Sequence, residues 1–239
     1  MPTSEFSTAT DVQALFDRIA PHYDALNDRL SFGLHQIWKT MAVQWADPPQ
    51  GSRVLDVCCG SGDLALILAR YVGSRGEVVG LDFSGPLLSI AAQRAQLTYP
   101  CHRFDWVLGD ALALPFAENS FDAVTMGYGL RNVVDIPRCL QHLYRVLQPG
   151  ATMAILDFQK PRDPWLQRWQ EWYMQSWVVP RAAAMGIAKE YEYILPSLER
   201  FPDGATQGQL AQQAGFRDCH YYSLALGLMG VLVATKPKG

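Results

Sequence analysis

Between Arg53 and Phe158 the chain alternates two hydrophobic periods. RVLDVC at 53–58 is apolar and β-branched, a glycine loop follows, and LALILARY at 64–71 reads as a buried helix. The unit repeats: EVVGLD at 77–82 with a helix over about 86–97, FDWVLGD at 104–110 with a loop, FDAVTMG at 121–127 with a helix over 137–147, and ATMAILDF at 151–158. Strands alternating with helices predict an α/β fold with a parallel, doubly wound sheet. The C-terminal part breaks this alternation. After a helix at 206–214, strand-like runs at 217–224 and 229–236 are separated by a few residues that include Gly227. Strands so closely joined pair antiparallel, because a parallel return needs a crossover.

Upstream, Thr10 and Gln13 form a capping-box pattern, and Val12, Leu15, Phe16 and Ile19 recur at helical spacing until Pro21. A second helix is predicted over 34–45, closed by the turn residues Asp47-Pro48-Pro49-Gln50-Gly51. The chain thus divides into an N-terminal helical cap, 1–50, and an α/β domain, 51–239, carrying an aromatic-rich helical insertion at about 160–200.

Composition narrows the class. With 239 residues, 49% of them hydrophobic, a single core needs no disulfides or metal. A net charge of −3 with dispersed Lys and Arg gives no basic patch, so a nucleic-acid partner is not expected. The five Cys form no CxxC pair and no His stands at ligand spacing; reduced thiols, no metal site and a cytoplasmic location are expected. The longest apolar stretch, Leu224 to Ala234, is interrupted by Gly227 and Gly230, so neither a spanning helix nor a secretory signal is predicted.

Gly60-Ser61-Gly62-Asp63-Leu64-Ala65 satisfies GxGxxG/A between a strand and a helix, with Asp82 and then Phe83 at the end of the next strand. Glycines let a backbone approach a ligand, and a carboxylate at Asp82 accepts hydrogen bonds from ribose hydroxyls. NAD, FAD and S-adenosylmethionine all meet this pattern. Asp56, just before the loop, disfavours a pyrophosphate and suits a ligand carrying an ammonium and a sulfonium. Asp110, after the third strand, is placed to accept from an adenine amine, or else to cap a turn. The terminal hairpin looks like that of the seven-stranded sheet of class I methyltransferases, an analogy at the level of fold.

Several segments then carry a specific resemblance. FDRIAPHYDALNDRLSFGLHQIWK (16–39), VLDVCCGSGDLA (54–65), GDALALPF (109–116), GLRN (129–132), LYRVLQPG (143–150) and VPR (179–181) together resemble the quinone-biosynthesis C-methyltransferases of the menaquinone and ubiquinone pathways. KEYEYILPSLERFPDG (189–204) and ALGLMGVLVATK (225–236) look more like the phototrophic branch, which methylates 2-phytyl-1,4-naphthoquinol. The resemblance implies a class I, Rossmann-like fold, S-adenosylmethionine as methyl donor and a prenylated naphthoquinol as acceptor. Demethylmenaquinol, a benzoquinol and a non-catalytic subunit of a quinone-synthesis assembly are the alternatives. Within it, Ser61 stands where the family loop usually has Thr, Asp82 binds ribose, Asp110 and Ala111 contact adenine, and Gly127 stands where relatives can carry Ser.

Methyl transfer to carbon needs an electron-rich ring, so the quinol must be the acceptor. A cation beside the ring oxygen would ease its ionisation, and Arg131 is the candidate, with a helix-end salt bridge as its other reading. Tyr128, Tyr23 and His22 are candidates to position the ring or relay its proton. In the insertion, Trp165, Trp169 and Trp172 recur at helical spacing, with Trp177 beyond and Arg162, Arg168 and Arg181 nearby. That stripe fits either a lid packed on the sheet or a surface meeting the membrane around a prenyl tail.

Overall fold

A computed structural model describes residues 33–183 and 194–238. His22, Tyr23 and the helix expected before Pro21 lie outside the described residues. Helix α1 (Leu34–Ala46) precedes strand β1 (Arg53–Val57), helix α2 (Asp63–Val72), β2 (Glu77–Asp82), α3 (Gly85–Thr98), β3 (Arg103–Leu108) and β4 (Phe121–Gly127). A 3-10 turn (Leu130–Asn132), α4 (Ile136–Val146) and β5 (Leu147–Phe158) follow. The insertion contributes α5 (Pro164–Tyr173), a π turn (Met174–Val178), α6 (Val179–Ala183) and α7 (Ile194–Arg200). Helix α8 (Gly204–Gln213) then leads to the hairpin β6 (Arg217–Leu224) and β7 (Met229–Thr235).

The sheet has the order β3-β2-β1-β4-β5-β7-β6. Strands β1 to β5 run parallel, and β7 is antiparallel to both β5 and β6, as expected from the short connection. The central strands are buried on both faces, which is why they are apolar runs without polar alternation. Strand order reverses between β1 and β4, so the crevice at their carboxyl ends is the natural ligand site of this topology.

Local chemistry sets several boundaries. Ser84, Asp135, Asp163 and Asp203 each accept a backbone N–H at the start of a helix, satisfying donors the helix cannot. In the first three of these helices a Pro occupies the first turn, where no N–H is needed. Strand β5 differs from the expectation, starting at Leu147 rather than Ala151. Leu147 is fully buried and pairs with Phe121, and a register shift between Phe121 and Ala123 absorbs the residues between.

Helix α1 lies in the segment assigned to the N-terminal cap. Its Ala42, Val43 and Ala46 are fully buried in one cluster with Val54, Leu68 and Val231, so it packs on a face of the sheet. Trp45 stacks on Tyr222 of β6 with ring centroids 4.3 Å apart.

Candidate active site

The crevice is built from the residues after β1, β2, β3 and β4. After β1 the chain turns through Cys58, Gly60 and Gly62, all at positive φ, the last serving as the N-cap of α2. Gly60 donates its N–H to Asp82 Oδ2 at 2.8 Å, while Asp82 Oδ1 accepts from Ser84 N at 2.9 Å. Asp82 thereby ties the glycine loop to the end of β2, with its acceptor-only carboxylate beside the loop. A Cβ at Gly60 would meet nothing within 4 Å, so the loop opens onto free space there. At Gly62 it would lie 3.0 Å from Ala91 Cβ, and this glycine lets α3 pack closely.

Asp56 sits inside β1 beneath that loop and is wholly buried. The parallel register sets it beside Thr125 of β4, whose hydroxyl donates to Asp56 Oδ1 at 2.8 Å. Oδ2 is buried and has no hydrogen-bond partner among the described residues. Burial pushes its carboxyl up to about 7, with the Thr125 hydrogen bond and the Lys39 charge pulling the other way. A cationic ligand above the loop would favour the ionised form. These features, an orphaned carboxylate oxygen and an open glycine loop, fit a donor that carries an ammonium, a sulfonium and a ribose.

Lys39, which sequence reasoning missed, is brought in by α1. Its side chain is 4% exposed and forms an ion pair with Asp63, the first residue of α2. Arg94 of α3 also binds Asp63 through Nη2, at 2.6 Å, and donates from Nη1 to the Ser61 carbonyl at 2.8 Å. Burial alone would raise the Asp63 carboxyl, but the two cations outweigh it and hold it below the usual carboxylate range. Three elements are thus pinned to one carboxylate at the start of α2, where the helix dipole also favours a negative charge. The Lys39 ammonium lies 5.6 Å from the Tyr128 ring centroid.

Beyond β4, Tyr128 is a non-glycine residue at φ 59°. Its carbonyl accepts from Arg131 Nη1 at 2.8 Å and Asn132 Nδ2 at 3.1 Å, so both polar members of GLRN secure this backbone conformation. Gly129 is required for close approach, since a Cβ there would lie 2.7 Å from Cys58 Cβ. The turns after β1 and β4 therefore touch. Gly127 faces Leu64, whose Cδ1 would come within 2.6 Å of a Cβ. Burial raises the thiols of Cys58 and Cys59 well above their ordinary range, so both are small packing groups of the loop.

Arg131 does not stand as an uncommitted cation. Its Nη1 donates to Asp157 Oδ1 at 2.7 Å and its backbone N–H donates to Asp157 Oδ2 at 3.0 Å, with side-chain exposures of 8% and 3%. Of the two sequence readings, this geometry supports the salt bridge. The Nε hydrogen is buried without an acceptor among the described residues. Asp157, at the end of β5, carried no sequence signal of its own beyond following a strand run. Asp110 is exposed two residues past β3, and its Oδ1 accepts the Leu112 N–H at 2.9 Å, so it does cap a turn. Ala111 beside it is buried in the core cluster, and Phe83 lies between Asp82 and the N-cap Ser84.

The model of the ubiE/COQ5 methyltransferase family matches residues 4–236. The chain belongs to that family. Similar curated proteins carry the name 2-phytyl-1,4-naphtoquinone methyltransferase. One from Synechococcus elongatus is 58% identical, covering 93% of this chain and 95% of its own length. One from Trichormus variabilis is 55% identical, covering 95% and 99%. The chloroplastic 2-phytyl-1,4-beta-naphthoquinone methyltransferase of Arabidopsis thaliana is 50% identical, covering 93% and 86%. Among solved structures, an S-adenosylmethionine-dependent methyltransferase from Aquifex aeolicus superposes with a TM-score of 0.58 at 19% identity, over 78% of this chain and 82% of that one. The cyclase SpnF does so at 0.63 and 21%, over 97% and 98%. At such identities these likenesses speak for the fold alone. As a ubiE/COQ5 member the chain is an S-adenosylmethionine-dependent methyltransferase on the expected seven-stranded, mostly parallel sheet. Among the described residues no group of His, Cys, Asp or Glu could hold a metal ion, and no helix is long and apolar enough to cross a membrane.

Proposed function

We propose that this enzyme methylates a ring carbon of 2-phytyl-1,4-naphthoquinol. The observation that carries the reading is the shared name of relatives 50–58% identical over at least 93% of the chain. The new bond joins the ring carbon to the methyl group as the sulfonium's carbon–sulfur bond breaks. The ring proton is then lost, and the donor leaves as a neutral thioether. Only the reduced ring is nucleophilic enough. With a phenol-like pKa near 10, ionising one hydroxyl at pH 7 costs about 4 kcal/mol in water, which a preorganised site can lower.

In this reading Gly60, Ser61, Gly62, Asp82 and Phe83 hold the donor's ribose end, Asp110 and Ala111 hold its adenine, and Asp56 favours its cationic end. Gly127 is a further cofactor-binding position, and Tyr128 positions the ring or relays its proton. Arg131 is a positioning residue, fixing the Tyr128 turn through Asp157. His22 and Tyr23 are assigned to positioning the ring or relaying its proton. A phytyl tail partitions strongly into lipid, at about 0.8 kcal/mol per buried methylene, so the acceptor itself resides in a membrane.

The test is turnover of 2-phytyl-1,4-naphthoquinone with S-adenosylmethionine, with and without a quinone reductant. Methylated product only in the reduced arm is expected, together with accumulation of the demethyl species in a deletion strain. Equal rates in the non-reducing arm, or an unchanged quinone profile in that strain, would count against the assignment.

A further inference from the structure

Helix α5 and the turns after it carry apolar surface on the side away from the protein. The buried side is Gln170, Met174 and Val178, and Gln170 donates its amide to the Gln159 carbonyl at 3.3 Å. The outward side is Trp165, Trp169, Trp172 and Trp177, exposed by 68%, 39%, 53% and 45%. A surface helix of a globular domain ordinarily shows the reverse distribution.

The fourth tryptophan is kept in line by a local change of helix type. After 165, 169 and 172, an uninterrupted α-helix would present Ser176. The π turn over Met174–Val178 adds one residue to that turn, and Trp177 takes the place. Cations flank the stripe. Arg162, Arg168 and Arg181 are exposed, and the Arg181 guanidinium lies over the Trp177 ring at 4.3 Å. Three acids stand beside them: Asp163 is engaged as the N-cap of α5, Asp203 pairs with Arg162 at 3.6 Å, and Glu171 lies on α5 itself, which leaves Arg168 and Arg181 as the cations of the stripe.

We propose that the Trp165–Trp169–Trp172–Trp177 stripe lies in the headgroup layer of an anionic lipid surface, with Arg168 and Arg181 at the lipid phosphates. Indole rings favour that depth, and basic side chains beside them extend to the headgroups. The proposal rests on the reading that the acceptor carries a phytyl tail. Helix α5 starts shortly after β5 ends, on the side of the sheet where the parallel strands have their carboxyl ends and where the glycine loop follows β1. Seating it on a bilayer puts the carboxyl-end side of the sheet next to the phase that holds a phytyl-tailed substrate.

The test uses the full chain and a Trp165→Ser/Trp172→Ser variant, in sedimentation with phosphatidylcholine vesicles made with and without phosphatidylglycerol. The wild type is expected to bind the anionic vesicles in a salt-sensitive manner, and the variant at least tenfold more weakly. Its melting temperature should be unchanged, and so should its methylation of a tailless naphthoquinol in solution. Equal vesicle binding by the two proteins overturns the proposal. So does equal wild-type affinity for neutral vesicles, or no binding to any vesicle, which would leave the stripe to a protein partner. The tailless-quinol arm reads the functional assignment separately: failure of methylation there with intact vesicle binding rejects the substrate and leaves the lipid surface standing.

Discussion

Thr125 and Asp56 stand side by side because β4 and β1 pair in parallel register, and the threonine hydroxyl bonds one carboxylate oxygen at 2.8 Å while the other has no partner among the described residues. The pair places a titrating charge beneath the glycine loop. With its carboxyl near 7 in the folded state and 3.8 as the reference, the folded protein holds a proton that the unfolded chain has lost between those values. Stability therefore falls as pH rises from about 4 to about 7, by a few kcal/mol at most.

Asp56→Asn should abolish that fall, so that its melting temperature gains on the wild type as pH rises from 5 to 8. Cofactor binding moves the other way. Ionised Asp56 favours the donor's cationic end, so wild-type affinity should rise with pH through about 7, and the Asn variant should bind more weakly with a flat profile. Calorimetry at four pH values checks both, and a wild-type profile matching the variant's would remove Asp56 from the site.

Asp82 accepts the Gly60 N–H on one oxygen and the Ser84 N–H on the other. Asp82→Ala should weaken S-adenosylmethionine binding by about 1.5–3 kcal/mol, the range for hydrogen bonds to a charged group. The loop N–H of Gly60 loses its acceptor in the same variant, so backbone amide exchange at Gly60 should quicken. Unchanged affinity with quickened exchange would confine Asp82 to holding the loop.

Lys39 and Asp63 form a nearly buried pair in which Arg94 also shares the carboxylate. Removing one member of a buried pair costs about 3–5 kcal/mol when its partner is left alone; Arg94 remains here, so Lys39→Met should cost less. We expect about 1–3 kcal/mol from urea unfolding, within the range of an unsatisfied buried polar group. Arg94→Ala combined with Lys39→Met should cost more than the sum of the single changes, and simple additivity would argue that the two cations act apart.

The strands and the glycine loop were legible because each depends on local composition: β2 and β4 fall on the segments read from EVVGLD and FDAVTMG. The Gly60 and Gly62 turn follows from residue type alone. What could not be read were pairings created by register and packing. Thr125 and Asp56 are 69 residues apart and Arg131 and Asp157 are 26 apart. Lys39 meets Asp63 only because α1 lies against α2. The start of β5 was missed for a related reason, since Gln148-Pro149-Gly150 reads as a turn and the buried Leu147–Phe121 pairing overrides it.

Arg131 and Asp157 supply the sharpest separation between holding the fold and assisting the chemistry. Arg131→Ala leaves Asp157 buried without its cation, a loss of about 3–5 kcal/mol. For a domain of this size that corresponds to a melting temperature lower by on the order of 10 °C. The paired change Arg131→Gln/Asp157→Asn removes both charges and keeps hydrogen-bonding groups, so most of the stability should return. Turnover in that variant then decides the role. If Arg131 positions the Tyr128 turn, kcat should stay within about tenfold of wild type, since Asp157 already balances the guanidinium charge. A guanidinium acting on the ring oxygen predicts a loss of about 10²–10³ in kcat even in the restabilised protein. Arg131→Lys adds the complementary arm: it retains charge without the fork that reaches Asp157 and the Tyr128 carbonyl together, so a positioning role predicts that Lys recovers less than the neutral pair does.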